Sequence, residues 1–395
     1  MTEIMQGYPV PVEWRIPRQD WDRAPWNRWS FQNVRQVLPT TEVWRGNGPV
    51  WRLNHNFIDL SLLPFSNDDG LATIQDWLNY SFTDGFVVLH RGQIVCEQYQ
   101  NNMTERTLHL SQSMAKSVVG CVAGILIGRG DMNVDQRVSH YLPELEATAW
   151  KGATLRQVLD MTTGVRYIED YTALDSDIAM TDIASGWKHA AAGVVAPACM
   201  WDQILGLTES VREHGEKFEY RSIETDVLGH CLERVTHTRL AELVSRELWQ
   251  HLGCEESASF TVDPVGYAMA DGGFNATLRD YARFGQMLLQ NGHANGRQIV
   301  PKDWIKDIHK ADHRIFGEPY TTTAPNGGYR NQFWVQDVNK KAFMARGVFG
   351  QLIYVDPEND MVITKLSSWP EFTSVPRLKT ALKAINAIGK CLNKN

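Results

Sequence analysis

One stretch constrains the fold of this 395-residue chain more than any other: residues 114–127, which are apolar on nearly every side. A helix without a polar face belongs in a protein interior. The sequence Gly128-Arg129-Gly130 ends the run before it is long enough to span a membrane. The sequence therefore predicts a buried helix against which the rest of the chain packs.

Two reactive side chains stand at the start of this predicted helix. Ser113 and Lys116 are three residues apart, so both project from one face of the first turn. A buried lysine costs free energy unless it is paired or used. We therefore interpret Ser113 as a nucleophile and Lys116 as its activating neighbour, kept partly neutral by desolvation. About one Ser-x-x-Lys motif is expected by chance, and a second, Ser185 to Lys188, lacks a buried helix after it.

Two more segments can complete such a site. Tyr220 and Ser222 lie just before a helical pattern and on the same side of the chain. A lone tyrosine is more often a core residue, but beside an ammonium group a phenol can lose its proton below its usual pKa of ~10 and relay protons. Late in the chain, residues 346–351 carry two glycines, which allow close approach of a backbone to a substrate. Such an edge can supply the second N–H group of an oxyanion hole.

Composition excludes several classes of function. The formal net charge of -7 argues against a nucleic-acid partner, and no apolar run is long enough to predict a membrane helix. The six cysteines form no CxxC pair, and the N-terminus has no signal-peptide pattern. These features predict free thiols in a reducing compartment, with the cytoplasm as the default. No glycine-rich phosphate loop or metal-binding motif is evident, so we expect neither a cofactor nor a metal.

The pattern of elements predicts an α/β (α+β) fold. A hairpin at 86–99 and four strands between 333 and 366 lie on either side of a mainly helical middle. We expect an antiparallel sheet built from both chain ends and flanked by helices, with an inserted helical domain. The predicted divisions are an N-terminal arm at 1–70, an α/β domain at 71–112 and 260–395, and a helical domain at 113–259. Residues 165–200 lack a clean period and predict a long acidic, aromatic, functional loop.

Several segments together resemble a known family. SQSMAKSVVG, GRGDMNVDQRVSHYLPEL, TLRQVLDMTTGV and the late Gly-x-x-Gly strand are similar to the serine β-lactamase and penicillin-recognising superfamily. Within it, PWNRWSF, EDYTALDSDIAMTDIASGW, FEYRSIETDVLGHCLERVT, MADGGF and VITKLSSWP resemble the nylon-oligomer hydrolases, which cleave 6-aminohexanoate dimer. The similarity covers nearly the whole chain. It implies a serine hydrolase that cleaves linear amides through an acyl-enzyme, with a side esterase activity.

The resemblance also implies a role for each matching residue. Ser113 is the nucleophile, Lys116 its activating partner and Tyr220 the general acid and base. The backbone N–H groups of Ser113 and Val348 form the oxyanion hole. The implied substrate-binding residues are Tyr171, which contacts the scissile amide when its loop closes, Asp182, which holds an ammonium end, and Trp187, Glu169, Ser222 and Phe349.

One departure from the family pattern limits the predicted substrate. Phe349 stands where β-lactamases carry Lys and nylon-oligomer hydrolases have His, and Phe cannot hold a β-lactam carboxylate. That argues against β-lactamase activity. Two alternatives stay open: a carboxylesterase of the same fold acting on short-chain esters, and a non-catalytic binding or scaffold relative. The expected partner is a small-molecule amide or ester, and the sequence leaves the oligomeric state open, with a homodimer as one option.

Overall fold

The computed structural model describes residues 4–394. Its strands are β1 Thr40–Val43, β2 Thr83–His90, β3 Gln93–Tyr99, β4 His109–Leu110, β5 Ala258–Thr261, β6 Phe274–Ala276, β7 His293–Ala294, β8 Arg297–Gln298, β9 Gly328–Arg330, β10 Phe333–Val335, β11 Phe343–Gly347, β12 Gln351–Asp356 and β13 Met361–Ser367. Its α-helices are α1 Asn27–Ser30, α2 Ile74–Tyr80, α3 Met114–Arg129, α4 Val138–Tyr141, α5 Leu155–Leu159, α6 Asp177–Ala184, α7 Met200–Gly206, α8 Ile223–Thr236, α9 Leu240–Val244, α10 Gln250–Leu252, α11 Leu278–Leu289, α12 Lys302–Ile308 and α13 Val375–Leu392.

The main sheet has seven strands in the order β3-β2-β13-β12-β11-β10-β9, and every neighbouring pair is antiparallel. Both chain ends supply strands, as the sequence predicts, because β13 pairs with β2 from Met361 opposite His90 to Ser367 opposite Thr83. The predicted hairpin is confirmed as β2 and β3, and the four late strands as β10 to β13. The α+β sheet architecture predicted from the sequence is therefore correct, while the division into domains stays a prediction.

Helices cover both faces of this sheet. Alternate residues of β2 pack on opposite sides, so that Phe86 and Val88 join the cluster around α2 and α13, and Val87 and Leu89 join the larger core around α3 and α11. Strand β2 is buried along its whole length. The sheet is therefore packed against helices on both faces.

Helix α3 is the buried helix expected from the sequence. It begins after Ser113 and ends at Gly130, whose φ of 87° is the left-handed conformation typical of a residue that follows a helix. Gly124 faces the ring of Trp304, and a Cβ built there would lie 2.5 Å from it. The glycine therefore lets α12 approach α3 closely.

A second sheet, which the sequence does not reveal, positions the start of α3. Its strands are ordered β1-β5-β6-β4, and they come from three distant parts of the chain. Strand β4 pairs with β6 and leads directly into α3. Each strand has two to four residues, too few for a period-2 pattern to stand out.

The segment 165–200 is only partly a loop. It contains helix α6, capped by the side chain of Ser176, which accepts a hydrogen bond from the N–H of Ala179. The prediction of an irregular loop is wrong for these eight residues. Within the described residues, no helix is both long and apolar enough to cross a membrane.

Candidate active site

Ser113 lies on a sharp turn between β4 and α3. The preceding residue, Gln112, has a φ of 49°, which is uncommon for a residue with a side chain. The N–H of Ser111 is held by the carbonyl of Phe274 at 2.8 Å, which fixes the turn to β6. A strained strand-to-helix turn of this kind presents the serine hydroxyl outward.

The ammonium group of Lys116 is the centre of the hydrogen-bond network. Its Nζ donates to Ser113 Oγ at 3.2 Å, to Ser222 Oγ at 3.1 Å and to the backbone carbonyl of Asp271 at 2.6 Å. The side chain is 1 % exposed. The structure thus brings Ser113, Lys116 and Ser222 together from two helix starts.

The charge of Lys116 differs from the sequence-based expectation. Burial alone lowers the pKa of this lysine, but Tyr220, Asp271 and Glu169 together outweigh it and leave the pKa above its ordinary value. The expectation that desolvation keeps Lys116 partly neutral is therefore wrong. The resting site holds an ammonium group because acidic groups surround it.

Tyr220 completes the cluster. Lys116 Nζ lies 5.4 Å from the centre of the Tyr220 ring, and the ring stacks on Trp334 with centroids 5.3 Å apart. Burial raises the pKa of the Tyr220 phenol above its ordinary value, and the charge of Lys116 and hydrogen bonding to Ser113 offset only part of this shift. The phenol lies against both Ser113 and Lys116. The backbone N–H of Tyr220 donates a hydrogen bond to Tyr320 Oη at 2.9 Å.

The end of β11 approaches the nucleophile closely. A Cβ built on Gly347 would lie 3.0 Å from Ser113 N and 2.5 Å from Ser111 O, so any other residue would push the two segments apart. Val348 follows at once and lines the same cavity as Ser113. The two residues predicted to form the oxyanion hole are therefore neighbours in space.

Glu169 and Tyr171 reach this cluster from the segment before α6. The Glu169 carboxylate accepts hydrogen bonds from Ser222 N at 2.6 Å, Ser222 Oγ at 2.5 Å and Tyr171 Oη at 2.6 Å. Burial raises the pKa of Glu169, and Lys116 opposes the shift. Glu169 therefore links the Tyr171 segment to the serine that contacts Lys116.

Asp182 lies near Ser113, but it is not free. Lys188 Nζ lies 2.8 Å from Asp182 Oδ2 and 3.2 Å from Asp22 Oδ2. Burial raises the pKa of Asp22 to about 6, although Lys188 lowers it. An ammonium group already occupies the position at which the sequence predicts that a substrate amine binds.

The two predicted aromatic contacts are both mostly buried. Trp187 donates from Nε1 to Thr261 Oγ1 at 3.1 Å, and it packs edge-on against Trp21 of the N-terminal segment at 5.2 Å. Phe349 is 1 % exposed and lies 5.2 Å from Phe31 and 4.6 Å from Phe372, measured between ring centres. Both line the cavity beside Ser113, so they shape its wall.

Two spaces meet at Ser113. The small chamber, with a volume of about 40 Å³, is lined by Ser113, Asp182, Trp187, Phe349, Asp22 and Asp271. The wide cleft, with a volume of about 380 Å³, is lined by Ser113, Tyr220, Trp334, Arg346, Trp369 and Val375. Tyr171 and Val348 line both spaces. A linear substrate whose reacting carbonyl lies at Ser113 can thus extend in two directions.

Sequence reasoning missed several residues of this site. Asp271 holds Lys116 through its carbonyl, Asp22 reaches in from the N-terminal segment, and Lys188 neutralises Asp182. Two of these residues could have been noticed in the sequence, because Lys188 belongs to the second Ser-x-x-Lys motif and Asp271 directly precedes a Gly-Gly pair. The described residues contain no group of three or more metal-ligating side chains.

Comparisons with known proteins agree with this geometry. A curated 6-aminohexanoate-dimer hydrolase from Paenarthrobacter ureafaciens is 34% identical over 376 residues, which cover 92% of this chain and 91% of that protein. Esterase EstB from Burkholderia gladioli is 24% identical over 202 residues, 47% of each chain. The solved structure of a Bacillus anthracis protein, provisionally assigned as a 6-aminohexanoate-dimer hydrolase, superposes with a TM-score of 0.89 at 29% identity, covering 98% of this chain and 99% of that one.

A family model agrees with these pairwise similarities. The model of the Beta-lactamase family matches residues 83–387, which include β2 at one end and most of α13 at the other. The match therefore spans the main sheet, the buried helix α3 and the cluster around Ser113. This chain belongs to the Beta-lactamase family.

Proposed function

We propose that this protein is a serine hydrolase that cleaves a linear amide, such as 6-aminohexanoate dimer, through an acyl-enzyme. The observation that carries the proposal is the Lys116 ammonium group, held 3.2 Å from Ser113 Oγ beside Tyr220. The similarity to the Paenarthrobacter ureafaciens hydrolase over 92% of the chain supports the amide as substrate class.

The first step is attack by Ser113 Oγ on the amide carbonyl. Lys116 and Tyr220 lie against Ser113 as an interacting pair, and acidic groups raise the pKa of Lys116 while burial raises that of Tyr220. In the reactive form this pair has one proton fewer than in the resting site, and the pair accepts the proton of Ser113 as Oγ attacks. The N–H groups of Ser113 and Val348 stabilise the oxyanion, and Gly347 permits their close approach.

The second half of the reaction uses the same groups in reverse. Tyr220 returns the proton to the leaving amine, and the acyl group stays on Ser113 Oγ. Water enters the vacated side of the site and attacks the acyl carbon as Tyr220 takes its proton. The bond from that carbon to Ser113 Oγ then breaks, Tyr220 returns the proton to Oγ, and the acid is released. Ser222 and the Asp271 carbonyl keep Lys116 in place throughout both steps.

The charge of Asp182 sets the proposed orientation of the amide dimer in the small chamber and the wide cleft. Its ammonium-bearing acyl half faces Asp182 in the small chamber, where the amine competes with Lys188 for the carboxylate. Its leaving half extends into the wide cleft. Tyr171, with its hydroxyl on Glu169, stands beside the scissile amide.

Hydrolysis of 6-aminohexanoate linear dimer by the wild type and by Ser113→Ala tests the proposal. Release of 6-aminohexanoate by the wild type alone is expected. Equal rates in the two proteins, or no release by either, would reject the amide activity.

The second candidate is a carboxylesterase acting on short-chain esters, supported by the apolar wide cleft and the similarity to Esterase EstB. An ester leaving group needs little protonation, so this activity should survive Tyr171→Phe better than amide cleavage does. Hydrolysis of p-nitrophenyl butyrate without any amide cleavage would favour the esterase. Failure of a fluorophosphonate probe to label Ser113 would favour a non-catalytic relative instead.

The cytoplasm is the proposed location. All six cysteines are free thiols, and five of them are buried, which suits a reducing compartment. The proposed partner is the small-molecule substrate, with a homodimer as the oligomeric state to test. The proposed domain division keeps residues 113–259, which carry Ser113, Lys116 and Tyr220, as one unit between the sheet-forming ends.

A further inference from the structure

Arg346 is a cation with an unusual position in the wide cleft. It belongs to β11 and directly precedes Gly347, the residue that touches the backbone of Ser113. Its register opposite Leu352 places it on the α13 side of the sheet, together with Met344. Its guanidinium carbon lies 4.6 Å from the centre of the Trp334 ring. The side chain is therefore held at the cleft wall by the stack.

Among residues 4–394, no carboxylate pairs with Arg346, and the ionisable neighbour whose charge acts on it is the phenol of Tyr220. Arg377 of α13 pairs with Glu371 at 2.8 Å, whereas Arg346 makes no ion pair or side-chain hydrogen bond within the described part of the chain. Burial lowers the pKa of Arg346 to about 10, so the group stays charged at neutral pH. A half-buried cation without an anion is costly, and a bound anion would offset that cost.

We propose that Arg346 binds a carboxylate on the leaving half of the substrate. The inference rests on the proposed amide-hydrolase function, and it narrows the substrate class to linear amides that end in a free acid. A guanidinium group matches a carboxylate with two parallel hydrogen bonds, and it discriminates strongly against a neutral amide at the same place.

The shape of the wide cleft agrees with such a substrate. Four apolar side chains line the cleft together with Ser113, and their surfaces suit a chain of methylene groups: Trp334, Trp369, Val375 and Leu378. Arg346 and Ser113 line the same cleft, so an anion bound by Arg346 shares that cleft with the reacting carbonyl. Phe349, where the family pattern leads us to expect a cation, is packed inside the molecule, and Arg346 supplies the positive charge of this strand instead.

The other charged groups of the cleft have partners. Glu169 is satisfied by Ser222 and Tyr171. Lys365 Nζ donates to the carbonyl of Ser81 at 3.3 Å and to Ser367 Oγ, so it is turned into the protein. Arg346 is thus the cleft cation that is available to an anion.

Calorimetric binding to the inactive Ser113→Ala protein tests the proposal without turnover. The two probes are 6-aminohexanoate linear dimer and the same molecule with its terminal carboxylate converted to a carboxamide. With Arg346 present, the acid should bind roughly 10- to 100-fold more tightly than the carboxamide. In Ser113→Ala/Arg346→Gln, the two ligands should bind equally, and Arg346→Lys should retain part of the preference. Ser113→Ala/Lys365→Met is the control and should keep the full preference.

Two outcomes would overturn the proposal. One is equal binding of the two probes when Arg346 is present, which includes no binding of either. The other is an Arg346→Gln variant that weakens both probes alike, which indicates that Arg346 only supports Trp334. Binding of the acid with the expected preference, but no hydrolysis by the wild type, would reject the amide-hydrolase function and leave the carboxylate site intact.

Discussion

The ammonium group of Lys188 lies 2.8 Å from the carboxylate of Asp182, so the chain supplies its own cation to the acidic side of the site. Asp22 shares the same ammonium group at 3.2 Å. The side chains of Lys188 and Asp182 are only 12% and 22% exposed. A substrate amine must therefore displace or share an internal partner before it gains from Asp182.

Lys188→Met should make the carboxylate of Asp182 available to amines from solution. Removing one partner of a largely buried pair should lower stability by about 1 to 3 kcal/mol, less than for a fully buried pair. A short primary alkylamine should then raise the melting temperature of the variant more than that of the wild type, because a ligand of the folded state stabilises it. Thermal unfolding with and without the amine measures both effects.

Asp182→Asn in the Lys188→Met background is the matched control for that experiment. It should abolish the extra stabilisation by amine. If the alkylamine stabilises the wild type and Lys188→Met equally, Lys188 does not compete for the amine position.

Tyr220→Phe should slow cleavage of the amide more than cleavage of an activated ester. Loss of the phenol removes the proton donor for the leaving amine, so kcat for the amide should fall by about 10²- to 10⁴-fold. The loss on a p-nitrophenyl ester should be smaller, since that leaving group departs without a proton. Steady-state kinetics on both substrates would check the ratio.

Tyr329→Phe is the control for the loss of a phenol. Tyr329 packs edge-on against Tyr220 at 6.2 Å, but its hydroxyl points to Gln332 Oε1 at 3.4 Å. This variant should keep near-wild-type rates. An equal loss in Tyr220→Phe on amide and ester would argue that Tyr220 acts only in the attack step.

Gly347→Ala should damage the oxyanion hole. The new methyl group would lie 2.5 Å from Ser111 O and 3.0 Å from Ser113 N, so the strand end must move away from the nucleophile. Displacing one oxyanion donor costs about 10²- to 10³-fold in kcat. Gly206→Ala, where an added methyl group meets no atom within 4 Å, is the control. A Gly347→Ala enzyme with normal kcat would show that the Val348 N–H is not a donor.

Lys365 gives a prediction for the pH dependence of stability. Burial lowers its pKa to about 7 in the folded protein, whereas an unfolded lysine titrates near 10.5. Between these values the unfolded chain binds a proton that the folded chain does not, so this lysine's contribution to stability rises with pH. At pH 7 the free energy of unfolding of Lys365→Met should exceed that of the wild type. This difference should shrink by roughly 1 to 3 kcal/mol from pH 7 to pH 10. Denaturant unfolding at both pH values measures it; a constant difference would contradict the lowered pKa.

The parts of the site that the sequence predicts well are those set by short-range geometry. Ser113 and Lys116 share a helical turn, and Tyr220 stands two residues before the Ser222 helix cap, so their chemistry is visible in local spacing. The charge of Lys116 is different, because it depends on Asp271 and Glu169, which are distant in sequence. Burial suggests a neutral lysine, and only the tertiary arrangement shows the acidic surroundings.

The fold, too, is predictable where it depends on local sequence pattern and not where it depends on contacts between distant segments. The main sheet is predictable because β2 and β13 are long, apolar strands. The four-stranded sheet is not, since its strands are short and its partners lie far apart in the chain. Arg346 belongs to a correctly predicted strand, but only the tertiary structure shows that no carboxylate among residues 4–394 pairs with it. Such an absence cannot be read from spacing.

The small chamber beside Asp182 has a mechanical consequence. Its volume of about 40 Å³ suits a few water molecules but not a six-carbon chain. The wall formed by Tyr171, stacked on Phe372 at 5.2 Å, must therefore shift before an acyl group of that length can enter. For the proposed orientation of the substrate, binding therefore requires an opening movement of this wall, and the rate of hydrolysis should then fall as the viscosity of the solvent rises.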